Sequence, residues 1–201
     1  MLLRSSTLVC LVTLFLSSGA VAQHSLKATY GAPEPLSRDE NPIKLNIQGW
    51  GTAWARNPSV INGSLENGVK SQINYSQIDQ SGYFGEIMIA QTHSSITWID
   101  DTLRKQVERH AYLSKREPEF GEYATVSNGP AEYKYIMVTV KEQNTPISCA
   151  FYSSRWRSFN SQGFLCSKPS TSALTTASTQ AFLKSINFKD ELISASEAVL
   201  P

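Results

Sequence analysis

Apolar and polar residues first alternate at Ile43, Leu45 and Ile47 against Lys44, Asn46 and Gln48, the period of a half-buried strand. Gly49-Trp50-Gly51 breaks that pattern, and Trp54 and Arg56 lead into 57–68, where Pro58, Asn62-Gly63 and Asn67-Gly68 predict a surface loop. Val69, Ser71, Ile73 and Tyr75 then mark one side of a second alternating run. Asp79-Gln80-Ser81-Gly82 offers a turn before Tyr83 to Gln91, so the two runs read as a hairpin. The period next lengthens. Ile99, Leu103, Val107 and Ala111 recur every four residues, Thr97 and the carboxylates of Asp100 and Asp101 suit a helix start, and Lys115, Arg116 and Pro118 suit its end.

Tyr123 to Val126, the turn Ser127-Asn128-Gly129-Pro130 and Glu132 to Val140 predict another hairpin. Its second arm is apolar on both sides, with Ile136, Val138 and Val140 opposed to Tyr133, Tyr135 and Met137, as in a strand covered on both faces. After Asn144-Thr145-Pro146 comes the stretch that fixes a register, Ile147 to Lys168. Two short strands there carry one cysteine each. If Cys149 lies opposite Cys166 in an antiparallel pair, Phe151 must lie opposite Phe164, and all four side chains share one inward face. Residues 121–168 therefore read as a four-stranded meander. A last helix is expected after Pro169, starting near Ser170 to Ser172, with Leu174, Ala177, Ala181, Phe182 and Ile186 on its apolar arc. Strand, hairpin, helix, meander and helix make an α+β domain over 42–189, followed by a tail, 190–201, with little pattern.

The first 22 residues read as a signal peptide: Arg4 near the start, an apolar run from Leu8 to Leu16, and Ala20-Val21-Ala22 as the cleavage site. That run is short of the roughly 20 residues a bilayer span needs. Cys10 sits inside it and Val9 precedes it, so Cys10 is expected to leave with the signal rather than carry lipid. Residues 23–41 are polar, contain Pro33 and Pro35, and read as a mobile leader. The expected destination is periplasmic or secreted. Removing Arg4 leaves 17 basic and 17 acidic residues, and no basic run stands out, which argues against nucleic acid or an anionic membrane as the main partner. Cys149 and Cys166 are then an even pair in an exported chain. A disulfide is the simplest reading, because zinc needs four ligands and no second Cys or His pair stands near either cysteine.

The order of these elements is similar to that of the Mog1 and PsbP-like group. That resemblance implies an antiparallel sheet flanked by helices, an α/β/α sandwich, here with one disulfide. Cys149, Phe151, Arg155, Trp156 and Cys166, with the helix ending near Ile186, also resemble small exported proteins of proteobacteria. Both resemblances imply a binding or accessory domain, and neither carries over a catalytic residue.

Motif chemistry is sparse. The chain contains no G-x-S-x-G, H-E-x-x-H, C-x-x-C or phosphate-binding glycine loop. Of its three histidines, His24 falls in the leader, His93 just past a strand and His110 on the first helix, and local spacing gives none of them a partner. No cofactor, metal site or catalytic residue is assigned. The candidate binding residues are Arg155, Trp156, Arg157 and Phe159 at the turn of the cysteine hairpin, with Trp50 and Trp54 in the early glycine-rich break. Large aromatics and arginines on turns are costly to leave in water and anchor interfaces. Packing readings stand beside this one: Trp156 under a helix, Trp50 and Trp54 as caps on the core. The expected function is a non-catalytic domain recognising a protein or cell-envelope component. The alternative is an envelope-directed hydrolase whose serine or histidine system the spacing hides.

Overall fold

The computed structural model describes residues 28–37, 39–45, 55–65, 68–80, 82–92, 102–129, 131–156 and 159–188. In chain order these form β1 (Ala28–Tyr30), β2 (Glu34–Pro35), β3 (Ile43–Leu45), β4 (Ala55–Leu65), β5 (Lys70–Asp79), β6 (Tyr83–Thr92), α1 (Leu103–Arg109), a 3-10 turn Ser114–Arg116, β7 (Glu119–Asn128), β8 (Ala131–Glu142), β9 (Thr145–Trp156), β10 (Phe159–Ser167), α2 (Thr176–Ser185) and β11 (Ile186–Phe188). Nine strands make one sheet ordered β1-β4-β5-β6-β10-β9-β8-β7, with β2 also on β4, while β3 and β11 form a separate ribbon.

The expected α+β balance, an α/β/α sandwich, is therefore corrected. Strand accounts for 61% and helix for 15% of the described residues. Two departures produce the difference. The segment 57–68, expected as a loop, is mostly β4. Asn57 at φ 48° and Pro58 make a bulge between Arg56 and Ser59, after which the ladder to β5 resumes straight through Asn62-Gly63. The turn falls later, at Gly68, whose φ of 82° suits glycine and whose N–H donates to the Leu65 carbonyl. The helices are also shorter than their periodicities. Thr102, not Thr97, caps α1 by accepting from the Lys105 N–H at 3.3 Å, and His110 already has extended backbone, so Ala111 lies beyond the helix and Leu113 is buried in its place. Thr97, Ile99, Asp100 and Asp101 lie outside the described residues. In α2 the cap is Thr175, and the buried residues are Thr179, Phe182, Leu183 and Ser185 instead of Ala177 and Ala181. Part of the stretch read as leader is strand as well, β1 and β2 both pairing with β4.

Two meanders, β4-β5-β6 and β7-β8-β9-β10, join where their last strands pair, β6 with β10. The β8 to β9 connection is a two-residue turn in which Gln143 and Asn144 both have positive φ, the geometry that matches strand twist. Side-chain alternation separates two apolar clusters. On one face Tyr133, Tyr135, Tyr152, Ile87 and Leu165 pack with Phe182 and Leu183 of α2 and with Ile43 and Ile186 of the ribbon. On the other, Val138, Val140, Ile147, Phe151 and Phe164 pack with Leu103 and Val107 of α1 and with Leu113. The cysteine hairpin has the register expected of it: Cys149 opposite Cys166 and Phe151 opposite Phe164. The two cysteines are fully buried and disulfide-bonded, with α-carbons 4.0 Å apart.

The chain after α1 is held to the end of β8 by one polar cluster. Tyr112 Oη and Arg116 Nε both donate to Glu142 Oε2, at 2.6 and 2.7 Å, the Arg116 guanidinium lies 3.6 Å from the Tyr112 ring centre, and that ring stacks on Phe164. The hydrogen bond from Arg116, then that from Tyr112, holds the Glu142 carboxyl below its usual value of 4.5. A carboxyl depressed in the folded state stabilises above its unfolded value, and that contribution is lost as pH falls through the folded value. Glu142→Gln should therefore destabilise at pH 7, and urea midpoints should show the gap from wild type closing by pH 3. An equal gap at both pH values would show that the carboxylate charge contributes nothing.

Candidate functional site

On the α1 face the sheet is apolar where α1 and the turn after it cover it, and polar beyond. The row Thr125, Lys134, Ser153 and Gln162 crosses four strands, with Ile136 and Phe151 in the row beneath it. An open groove of about 780 Å³ lies between this polar part of the sheet and the first turn of α1. Leu103 and Ile136 give it an apolar floor. Among the described residues, Arg104, Lys134 and Arg155 line it with one acid, Glu132. Arg104 is held in place by Glu108, 3.4 Å away, and by the Phe120 ring, 4.4 Å from its guanidinium carbon. Tyr123 of β7 completes the rim at 53% exposed, the one large hydrophobic residue left in solvent among the described residues. Such a surface offers positive charge, hydroxyl donors and an aromatic ring around a small apolar floor. These suit binding an acidic or polar chain, and among the described lining residues no nucleophile stands with an activating base.

A second polar constellation lies under α1. Glu86 Oε1 accepts from His110 Nε2 at 2.7 Å, and Glu86 Oε2 accepts from Tyr75 Oη at 3.0 Å. Burial, then the Glu86 charge, pushes the Tyr75 hydroxyl up to about 12. The His110 ring packs edge-on against Phe151 and Phe164, and its Nδ1 is buried with no hydrogen-bond partner. Ser114 Oγ, four residues on, donates to the His110 carbonyl instead. The pair is thus built like an oriented base, but one turned into the core.

Of the residues the sequence singled out, Arg155 lies in the groove wall, half-buried near the end of β9. Trp156 is the last residue of β9, opposite Phe159, which is buried in the α2-side cluster. Arg157, Trp50, Trp54, His24 and His93 lie outside the described residues. Sequence reasoning missed Tyr123, Lys134 and Glu86. Glu86 had a visible signal, a lone carboxylate in the apolar run Tyr83 to Ala90. Among the described residues, no cluster of three His, Cys, Asp or Glu is placed to hold a metal ion, and no helix is long and apolar enough to cross a membrane. Comparison with protein-family models, curated proteins and solved structures returns no match.

Proposed function

We propose that this chain is an exported, non-catalytic binding or accessory domain that recognises a protein or cell-envelope component through the groove beside α1. The observation that carries this is the exposed Tyr123 ring set beside Lys134 and Arg155 over an apolar floor. Aromatic and arginine side chains are the residue types that most often carry interface energy. The buried disulfide is consistent with an extracellular or periplasmic protein, and the neutral mature chain leaves nucleic acid without an electrostatic footprint.

Tyr123→Ala combined with Arg155→Ala should lower retention of envelope components on the immobilised protein by about tenfold or more, since hot-spot truncations typically exceed 2 kcal/mol. The urea midpoint should barely move, because both side chains face the groove. Undiminished retention would remove the groove from the binding surface. The 2.7 Å His110 to Glu86 bond favours the alternative, a hydrolase. Turnover of envelope material by wild type, lost in a folded His110→Gln variant, would replace the binding role with that one.

A further inference from the structure

The 4.0 Å approach of Cys149 and Cys166 fixes the direction of backbone hydrogen bonding across this half of the sheet. Opposed residues that exchange backbone bonds stand about 5.5 Å apart, so these two direct their N–H and C=O groups away from each other. Ser148 shows the same phase, since its N–H and its carbonyl both bond Ser167 Oγ, on the β10 side. Cys149, Phe151 and Ser153 therefore bond toward β8, where they face Val138, Ile136 and Lys134. That leaves Tyr133 and Tyr135 to bond β7, at Val126 and Ala124. By the same alternation Tyr123, Thr125 and Ser127 point their N–H and C=O groups outward, past the last strand of the sheet.

All three residues are exposed, and among the described residues no backbone hydrogen bond reaches those groups. Their side chains lie on the groove face, with Thr125 directly opposite Lys134. The bulge between Phe120 and Tyr123 ends the straight edge on one side, and the β7 to β8 turn ends it on the other, leaving about five residues of template.

From this edge and its charge we infer that β7 binds an extended, acidic peptide segment of a partner protein as an added strand, an assignment that rests on the binding role proposed for the groove. Main-chain bonds to Tyr123, Thr125 and Ser127 supply the register. Alternate side chains of the guest then point over the groove, where a carboxylate opposite Thr125 stands about two strand spacings, roughly 10 Å, from Lys134, while the position opposite Ser127 faces Glu132 and takes an uncharged residue. Lysine and glutamate side chains together span that gap. Arg155 lies further in along the same wall. A second copy of this chain is the competing occupant, because an edge-to-edge register pairing Thr125 with Ser127 sets Lys134 against Glu132 of the partner copy, and sedimentation separates it from a peptide.

The test uses the full mature chain and two synthetic heptapeptides of alternating valine and threonine, with the central threonine, the one to lie opposite Thr125, replaced by glutamate in one and by lysine in the other. The glutamate peptide should bind at least about tenfold more tightly, and binding should weaken about tenfold in Lys134→Glu, as reversed interfacial charge requires. Thr125→Pro should also weaken it about tenfold while leaving the ladder to β8 intact, because the N–H it removes points outward. In the wild type, bound peptide should slow amide exchange at Tyr123, Thr125 and Ser127, a readout that does not depend on any variant folding. The assignment fails if neither peptide binds, if both bind equally, or if those amides exchange unchanged. It fails equally if sedimentation shows a dimer whose formation Thr125→Pro abolishes. Should Tyr123→Ala with Arg155→Ala abolish envelope capture while Thr125→Pro does not, the groove keeps its role and only the added strand is lost.

Discussion

Replacing Cys149 and Cys166 together by alanine should lower the stability of the protein by about 2 to 4 kcal/mol, with the folded shape largely retained. The two residues are 17 apart in sequence, and in the chain-entropy model closing a loop of that size removes roughly 3 kcal/mol of freedom from the unfolded chain. The hairpin does not depend on the bond for its register. Phe151 still faces Phe164 two pairs further along, on the same face, and Phe164 is held by the stacked Tyr112 ring and the edge of His110. Urea titration with and without a reductant, checked against the double variant, measures the loss. Both sulfurs are fully buried, so reduction should require partial unfolding first. An unchanged midpoint would remove the entropic role, and two free thiols in denatured, unreduced protein from its native compartment would remove the bond.

That hairpin was legible because two cysteines and two phenylalanines constrain a single register, and side-chain alternation does the rest. The β7 to β8 hairpin was legible for a related reason, an Asn-Gly-Pro turn between strongly patterned arms. What escaped sequence reasoning was decided by partners distant in the chain. Asn57, Pro58 and Asn62-Gly63 carry every local sign of a loop, yet β5 on one side and β1 with β2 on the other hold them as strand, with the misfit absorbed in one bulge. The early four-residue repeat promised a longer helix, but backbone geometry at His110 ends α1 so that Leu113, past a turn, fills the space against Val107. The groove divides the same way. Arg155 could be singled out as an arginine beside a turn, whereas Tyr123 and Lys134 become neighbours of it only when β7, β8 and β9 lie side by side.

The same dependence on the assembled sheet makes Gly163 one of the least replaceable residues in the chain. Gly163 of β10 pairs with Tyr152 of β9 on one side and Ile87 of β6 on the other. A methyl group there would collide with the Glu86 carbonyl oxygen and with the Tyr152 hydroxyl. Neither can yield at low cost. The Glu86 carbonyl is main chain at the seam joining the two meanders, and it accepts the Tyr152 hydroxyl at 3.1 Å. Tyr152 is fully buried and packs edge-on against Tyr133 and Phe182, so tilting it away disturbs the core under α2. Moving the Glu86 backbone would also shift the side chain that binds His110 and Tyr75 on the opposite face. Gly163→Ala should therefore cost about 3 kcal/mol, the upper end of overpacking in a filled core, where an unobstructed strand position would gain from the same change. Tyr152→Phe removes one of the two obstacles at about 1 kcal/mol for its lost hydrogen bond. The double variant should then be less destabilised than the sum of the singles, because the added methyl group moves into space that the missing hydroxyl has vacated. Urea midpoints for the four proteins measure this, and faster amide exchange along β6 and β10 should accompany the loss in Gly163→Ala. A Gly163→Ala protein within about 1 kcal/mol of wild type would mean that the seam opens more easily than its contacts imply.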